Sequence, residues 1–321
     1  MAFPNSSVTD LVISTLARRS KTIADNILGN NAGFAAIKKK GNAKNIDGGR
    51  TIYEPFIFAS NSNAGWYSGY DVLLTDAADV LGGAEFPWKQ ASCQVVISGL
   101  EMLKNSGDAQ YFDLLEARMK AAESTMDNLM TVGFFSDGTG AGGKQLDGVK
   151  AAISATPTTG TYGGVNRATA TNAFWRNYFL DTAAAPSAST ILTKVNTAMA
   201  NLTFGKDRPD LAICDDDVWA AFQAAMQANQ RFTDPGTADA GFLSIKHMGM
   251  DVVLDGTCTD ITMYLLNTKY LSLKSHKDRN MVPLGKNRSP YNQDAEVAIL
   301  AWAGNVTCSQ ARAQGRIQFD T

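Results

Sequence analysis

Apolar residues recur at three- and four-residue intervals from Leu115 through Met119, Ala122 and Met126 to Leu129, which lines one face of a helix. Glu116, Lys120, Glu123 and Asp127 fall off that line, and Glu116 precedes Lys120 by one turn in the favourable orientation. The pattern predicts one helix over 108–132, about 38 Å long at about 1.5 Å per residue. Asp108 caps its start or meets the positive end of its dipole, and Gly133 is a stop. Such a length reads as a strut.

Before the strut, the pattern has period two. Arg50–Phe58 (RTIYEPFIF) and Ser92–Ser98 (SCQVVIS) read as strands, and Pro55 confines the first to an edge or an exposed ribbon. Between them, 61–90 reads as a long polar loop in which Trp66, Tyr67, Tyr70, Phe86 and Trp88 sit among glycines. These rings either face a partner or cap the chain's own core. Residues 1–46 hold only short helical stretches, interrupted by Gly29-Asn30-Asn31 and the patch from Lys38 to Gly41, and read as an arm.

After the strut, 151–164 reads as loop and weak strand, and 174–179 as a packed return strand. An α/β unit follows. Ser187 or Ser189 caps a helix through Leu202 with Ile191, Val195 and Met199 on one face, and a buried strand runs from Pro209 to Cys214. A helix is expected from Asp215 to Asn229, strands at 248–254, 261–266 and 271–273, and last strands at 295–301, 305–309 and 316–319. No fixed-period repeat is present.

Length and charge narrow the function. A chain of 321 residues is long enough for one or two real cores. Charged residues make up 19%, below the usual share of about 25%, which fits either a surface buried against copies of the chain or a neutral soluble enzyme. With 29 basic and 31 acidic residues nothing draws it to nucleic-acid backbones. The four cysteines, at 93, 214, 258 and 308, lack metal or redox spacing and read as reduced thiols of a cytosolic compartment. The N-terminal stretch lacks a signal-peptide layout, and no apolar window is long enough to span a membrane.

The segment from Gly138 to Lys144 satisfies both GxxxxGK and GxGxxG, patterns that cradle phosphates, and LAICDD at 211–216 imitates a metal-holding strand end. Three features oppose a nucleotide site. Gln145 brings no hydroxyl for a metal, a helix rather than a buried strand precedes the loop, and Gly148 breaks any helix after it. Asp215, Asp216 and Asp217 read as helix capping, and neither His247 nor His276 has a ligand-pair partner. No catalytic residue, cofactor or metal is expected.

The order DGGRTIYEP, aromatic-rich ribbon, SGLEMLKNSG, long helix, SDGTG…GGKQLDGV and GGVNRATATNAFWRN resembles the major capsid proteins of tailed bacteriophages, most strongly from Asp47 to Asn177. The resemblance implies an α+β fold: residues 1–46 as N-terminal arm, 47–97 as extended β loop and 98–180 as peripheral domain on a long spine helix. It further implies 181–284 as axial domain and 285–321 as return strands of the peripheral domain. It implies a non-catalytic protein that self-assembles as hexamers and pentamers of an icosahedral shell in the virion, put together in the host bacterial cytoplasm. Partners would be a separate scaffolding protein, a portal protein and a decoration protein, with no sequence-specific nucleic acid and no membrane. Inter-subunit contact candidates are Arg50, Trp66, Tyr67, Tyr70, Phe86 and Trp88. An encapsulin-like compartment is the alternative with the same fold.

Overall fold

The computed structural model describes residues 42–104, 108–226, 244–258, 261–283 and 294–320, with side chains at 102–117, 244 and 283 left aside. The helical stretches expected before residue 42, Leu115 of the predicted stripe and the end of the helix expected to reach Asn229 lie outside that description.

A four-stranded sheet and a two-stranded ribbon form one half of the molecule. β1 (Ala43–Ile46) is followed by β2 (Ile52–Ile57), β3 (Leu81–Phe86) and β4 (Lys89–Ser98). Then come α1 (Gly99–Lys104) and the long α2 (Asp108–Phe134). β2 and β3 pair antiparallel, Ile52 opposite Phe86 and Ile57 opposite Leu81. The partner of the Pro55 strand is therefore β3, inside the stretch expected to be loop. Its Leu-Gly-Gly-Ala run hid the strand, because glycine carries little β preference. Gly83 is needed: a Cβ there would stand 2.1 Å from the Tyr53 ring, which reaches over it from the facing strand.

A short hairpin, β5 (Thr161–Tyr162) and β6 (Val165–Asn166), and a 3₁₀ turn over Ala170–Trp175 lead to β7 (Tyr178–Asp181). Then α3 (Ile191–Leu202), β8 (Leu211–Cys214), α4 (Asp216–Met226), β9 (Ser244–His247), β10 (Met250–Leu254) and β11 (Thr262–Leu266) build the α/β unit. Three strands remain: β12 (Leu271–Pro283), β13 (Ala295–Cys308) and β14 (Gly315–Gln318). β13 is one continuous strand where two were expected.

The sheets run β1-β12-β13-β4 and β7-β14-β11-β8-β10-β9. Both cut across the boundaries drawn at 180/181 and 284/285. β12, counted with 181–284, joins the four-stranded sheet, whereas β7 and β14, counted outside it, join the six-stranded sheet. β1, from the end of the expected arm, pairs parallel with β12. Pairing between distant segments leaves no local trace in the pattern of a single strand.

The central strands β8 and β11 of the six-stranded sheet are buried on both faces, which explains why they read as unbroken apolar runs. Along β8, Leu211 and Ile213 join the core containing α2, and Ala212 and Cys214 join a second core with Ile191, Val195 and Met199 of α3 and Phe222 of α4. The α3 stripe lies as expected, but Thr190 rather than Ser187 or Ser189 stands at the helix boundary.

On α2 the buried face is Met119, Ala122, Met126, Met130 and Phe134. Leu129 is 49% exposed, and the helix runs past Gly133. Leu146 closes over Gly133, where a Cβ would meet it at 3.0 Å, so the glycine lets the helix pass under that side chain.

Candidate inter-subunit surface

Ile52, Ala84 and Phe86 fix the root of the ribbon in the core. Phe86 meets Tyr162 edge-on at 5.2 Å, and Phe56 stacks on Trp175 at 4.7 Å. The Trp175 indole donates to the Tyr162 carbonyl at 2.9 Å, and the Glu85 amide to the Gly163 carbonyl at 2.9 Å. The 161–175 segment, which begins in the stretch read as loop and weak strand and ends in the one read as a return strand, is a bracket under the ribbon.

Polar contacts complete the anchorage. Lys274 pairs with Glu54 at 2.8 Å, and the Thr307 hydroxyl donates to the same carboxylate at 2.7 Å. Asn305, fully buried, donates to Asp147 at 2.7 Å and to the Pro87 carbonyl at 2.9 Å, while its own carbonyl accepts from the Asp147 amide at 3.0 Å. Lys89 donates to the Gly143 carbonyl at 2.6 Å and lies 3.4 Å from Asp147. A rigid root thus carries a tip that makes little contact with its own chain.

At that tip Trp66 and Tyr70 are as exposed as in an extended peptide, at 105% and 104%, and Tyr67 is exposed as well. Arg50 is exposed. Two candidates fall elsewhere. Phe86 is enclosed in the core, because it sits at the root where the ribbon joins the sheet. Trp88 is half-buried: its indole donates to the Gly49 carbonyl at 2.9 Å and its ring leans on His276 at 5.5 Å. Sequence reasoning passed over Val72, Leu73 and Leu74, exposed beside the aromatics, with Ile57 and Leu81 where the ribbon ends. The signal was present as an apolar run between Asp71 and Asp76, without helix or strand to bury it.

The glycine segment is not laid out as a phosphate loop: the helix α2 rather than a strand precedes it, and several of its amides are engaged inside the turn, Thr139 to Asp137, Gly143 to the Thr139 carbonyl and Gln145 to the Gly140 carbonyl. Gly138, at φ +81°, and the left-handed Gly142 and Gly143 turn the chain back toward Asp147. At the start of α4 the Asp216 amide donates to the Asp215 carboxylate at 2.9 Å and the Trp219 amide to the Asp215 carbonyl at 2.9 Å, which is capping. Burial, then the neighbouring Asp216, holds the Asp215 carboxyl above the usual range. His247 contacts Asn196 at 2.8 Å, and the His276 ring accepts from the Asp278 amide at 3.1 Å. Burial pushes the Cys308 thiol up to about 12, far from a reactive thiolate.

No family model and no curated protein matches the chain in sequence. Solved structures match its shape. The capsid asymmetric unit of cyanophage A-1(L) superposes with a TM-score of 0.63 at 18% identity, over 86% of this chain and 90% of that one. The capsid of the native GTA particle superposes at 0.59 and 13%, over 89% and 90%. A virus-like particle from Pyrococcus furiosus superposes at 0.53 and 8%, over 94% and 98%. The chain therefore has the α+β shell fold of tailed-phage capsids.

Proposed function

We propose that this chain is a major capsid protein, a non-catalytic subunit that self-assembles as hexamers and pentamers of an icosahedral shell enclosing phage DNA. The observation that carries the reading is the ribbon: a root locked by buried aromatics and ion pairs presents Trp66, Tyr70, Val72 and Leu73 to water. A monomer gains nothing from holding such apolar surface out on a rigid support, whereas a subunit that buries it against a neighbour gains on assembly.

The ribbon corresponds to the extended loop, α2 to the spine, the four-stranded sheet to the peripheral domain and the six-stranded sheet to the axial domain. A separate scaffolding protein, a portal protein and a decoration protein complete the shell, which is built in the host cytoplasm and ends in the virion. Electron microscopy of the purified protein, alone and with its scaffold, tests this. Uniform closed particles are expected, and a protein that stays monomeric under every condition ends the reading.

Likeness to the Pyrococcus furiosus virus-like particle favours one second reading, a protein compartment loaded with an enzyme. Particles that carry DNA exclude it, and particles that carry a protein cargo establish it. A nucleotide-dependent enzyme predicts that Lys144→Ala abolishes activity and that magnesium nucleotide stabilises the fold; the capsid reading predicts neither.

A further inference from the structure

We propose that Lys89 and Asn305 become joined by an amide bond within one chain, with Asp147 moving the protons. The proposal is independent of the shell reading, because all three residues belong to a single folded subunit.

The three side chains meet where the root of the ribbon joins the four-stranded sheet. Lys89 opens β4, Asn305 lies near the end of β13, and Asp147 follows the glycine turn. Lys89 and Asn305 are buried, and 18% of the Asp147 side chain is exposed. The two oxygens of that carboxylate are shared. Oδ1 lies 3.4 Å from the Lys89 ammonium, and Oδ2 accepts from the Asn305 carboxamide nitrogen at 2.7 Å. The carboxamide oxygen accepts from two backbone amides, that of Asp147 at 3.0 Å and that of Val306 at 2.9 Å. A lysine and an aspartate suffice for an ion pair. The buried carboxamide adds an acyl carbon whose oxygen is already polarised and whose nitrogen already sits on the same carboxylate, which is the layout of acyl transfer to an amine.

The Lys89 ammonium, held by the Gly143 carbonyl at 2.6 Å, gives one proton to Asp147 Oδ1. That leaves two neutral groups in a place that solvates charge poorly. The freed amine turns from Gly143 and attacks Asn305 Cγ, and the charge that builds on the carboxamide oxygen falls on the two amides. The amine's second proton follows the first through the carboxylate to Nδ2. The Cγ–Nδ2 bond breaks, and the nitrogen leaves with both protons as ammonium. One Nζ–Cγ bond replaces one Cγ–Nδ2 bond, nothing is oxidised or reduced, and Asp147 ends as the carboxylate it began as. The reaction runs once per chain, so the subunit stays a structural protein. The bond ties the first residue of β4 to β13 and closes most of the chain into a loop, which takes entropy from the unfolded state.

Mass spectrometry of the full-length protein tests the bond. Expected are an intact mass one ammonia below that of the sequence and, after proteolysis, a branched peptide holding Lys89 and Asn305. Denaturing electrophoresis is expected to show a single chain. Asp147→Asn and Lys89→Arg are expected to keep the full mass and to give no branched peptide.

Unsubstituted protein that keeps the full mass after prolonged incubation in its folded state overturns the proposal, so a variant that misfolds cannot shelter it. Ammonia lost without the branched peptide is succinimide formation, and a covalent ladder joins different chains; either result overturns the proposal as well. Asp147→Asn that still joins the two residues overturns the part given to the carboxylate. None of these results touches the shell reading, which particle formation decides separately.

Discussion

Glu54 and Lys274 meet at 2.8 Å with 13% and 12% of their side chains exposed, and this pair ties the ribbon strand β2 to β12 of the four-stranded sheet. Thr307 brings β13 to the same carboxylate, so three segments far apart in sequence converge on one charge. Removing one partner of such a pair leaves the other charged and poorly solvated, at a cost of about 3–5 kcal/mol. Lys274→Met is therefore expected to lower subunit stability by about 3 kcal/mol in urea unfolding. Combining it with Glu54→Gln should recover part of that loss. A single variant as stable as the parent would show the pair to be incidental.

The spine helix separates two residues that look equivalent in sequence. Met126 is fully buried, and its truncation to Ala is expected to cost about 2–5 kcal/mol through lost contacts and a cavity. Leu129 stands half in water, and Leu129→Ala is expected to leave subunit stability within about 0.5 kcal/mol. Urea denaturation of the two variants side by side checks the difference, and an equal loss in both would place Leu129 in the core.

The same helix shows what the sequence carried and what it did not. Periodicity placed α2 to within two residues at its end and gave α3 its buried Ile191, Val195 and Met199, because helical pairing is local. It chose Leu129 over Met130, since a helix this long drifts around its axis and only tertiary packing sets which neighbour turns inward. Sheet membership was out of reach. Neither β12 nor β14 carries a mark of its sheet in its own sequence, and their exchange between the two halves depends on pairing with segments elsewhere in the chain. The exposed aromatics at 66, 67 and 70 were legible as rings stranded among glycines and polar residues. Phe86, from the same stretch, is enclosed in the core because the strand β3 that brings it there is built on glycine, which the pattern could not show.

That division gives a comparison among three rings. Trp66→Ala with Tyr70→Ala is expected to leave the unfolding curve of the subunit unchanged, since both side chains already face water, and to suppress particle formation. Phe86→Ala is expected to cost about 3–5 kcal/mol of subunit stability, as for any large ring removed from a packed core. If the double variant unfolds early while its soluble fraction assembles normally, the rings at 66 and 70 belong to the fold rather than to the contact between subunits.

The junction of β4 and α1 with the spine helix carries a pH dependence of known sign. Arg118 of α2 donates to the Glu101 carboxylate at 2.5 Å and to the Val96 carbonyl at 2.6 Å, and the Ser98 amide donates to Glu101 at 3.2 Å. The Glu101 amide returns a bond to the Ser98 hydroxyl at 3.3 Å, which closes a capping box on α1. The Arg118 hydrogen bond first, then the Ser98 amide, hold the Glu101 carboxyl down from the usual 4.5 to about 2. A carboxylate with a depressed folded pKa contributes fully above its unfolded value and loses that contribution as pH falls through the folded one. The loss therefore falls between about pH 4.5 and 2. Both side chains are partly exposed, so salt weakens the effect. A carboxyl-carbon NMR titration of Glu101 is expected to show a midpoint near 2, moving back toward 4.5 in Arg118→Met. A midpoint of about 4.5 in the parent protein would mean that Arg118 does not hold α1 to the spine in solution.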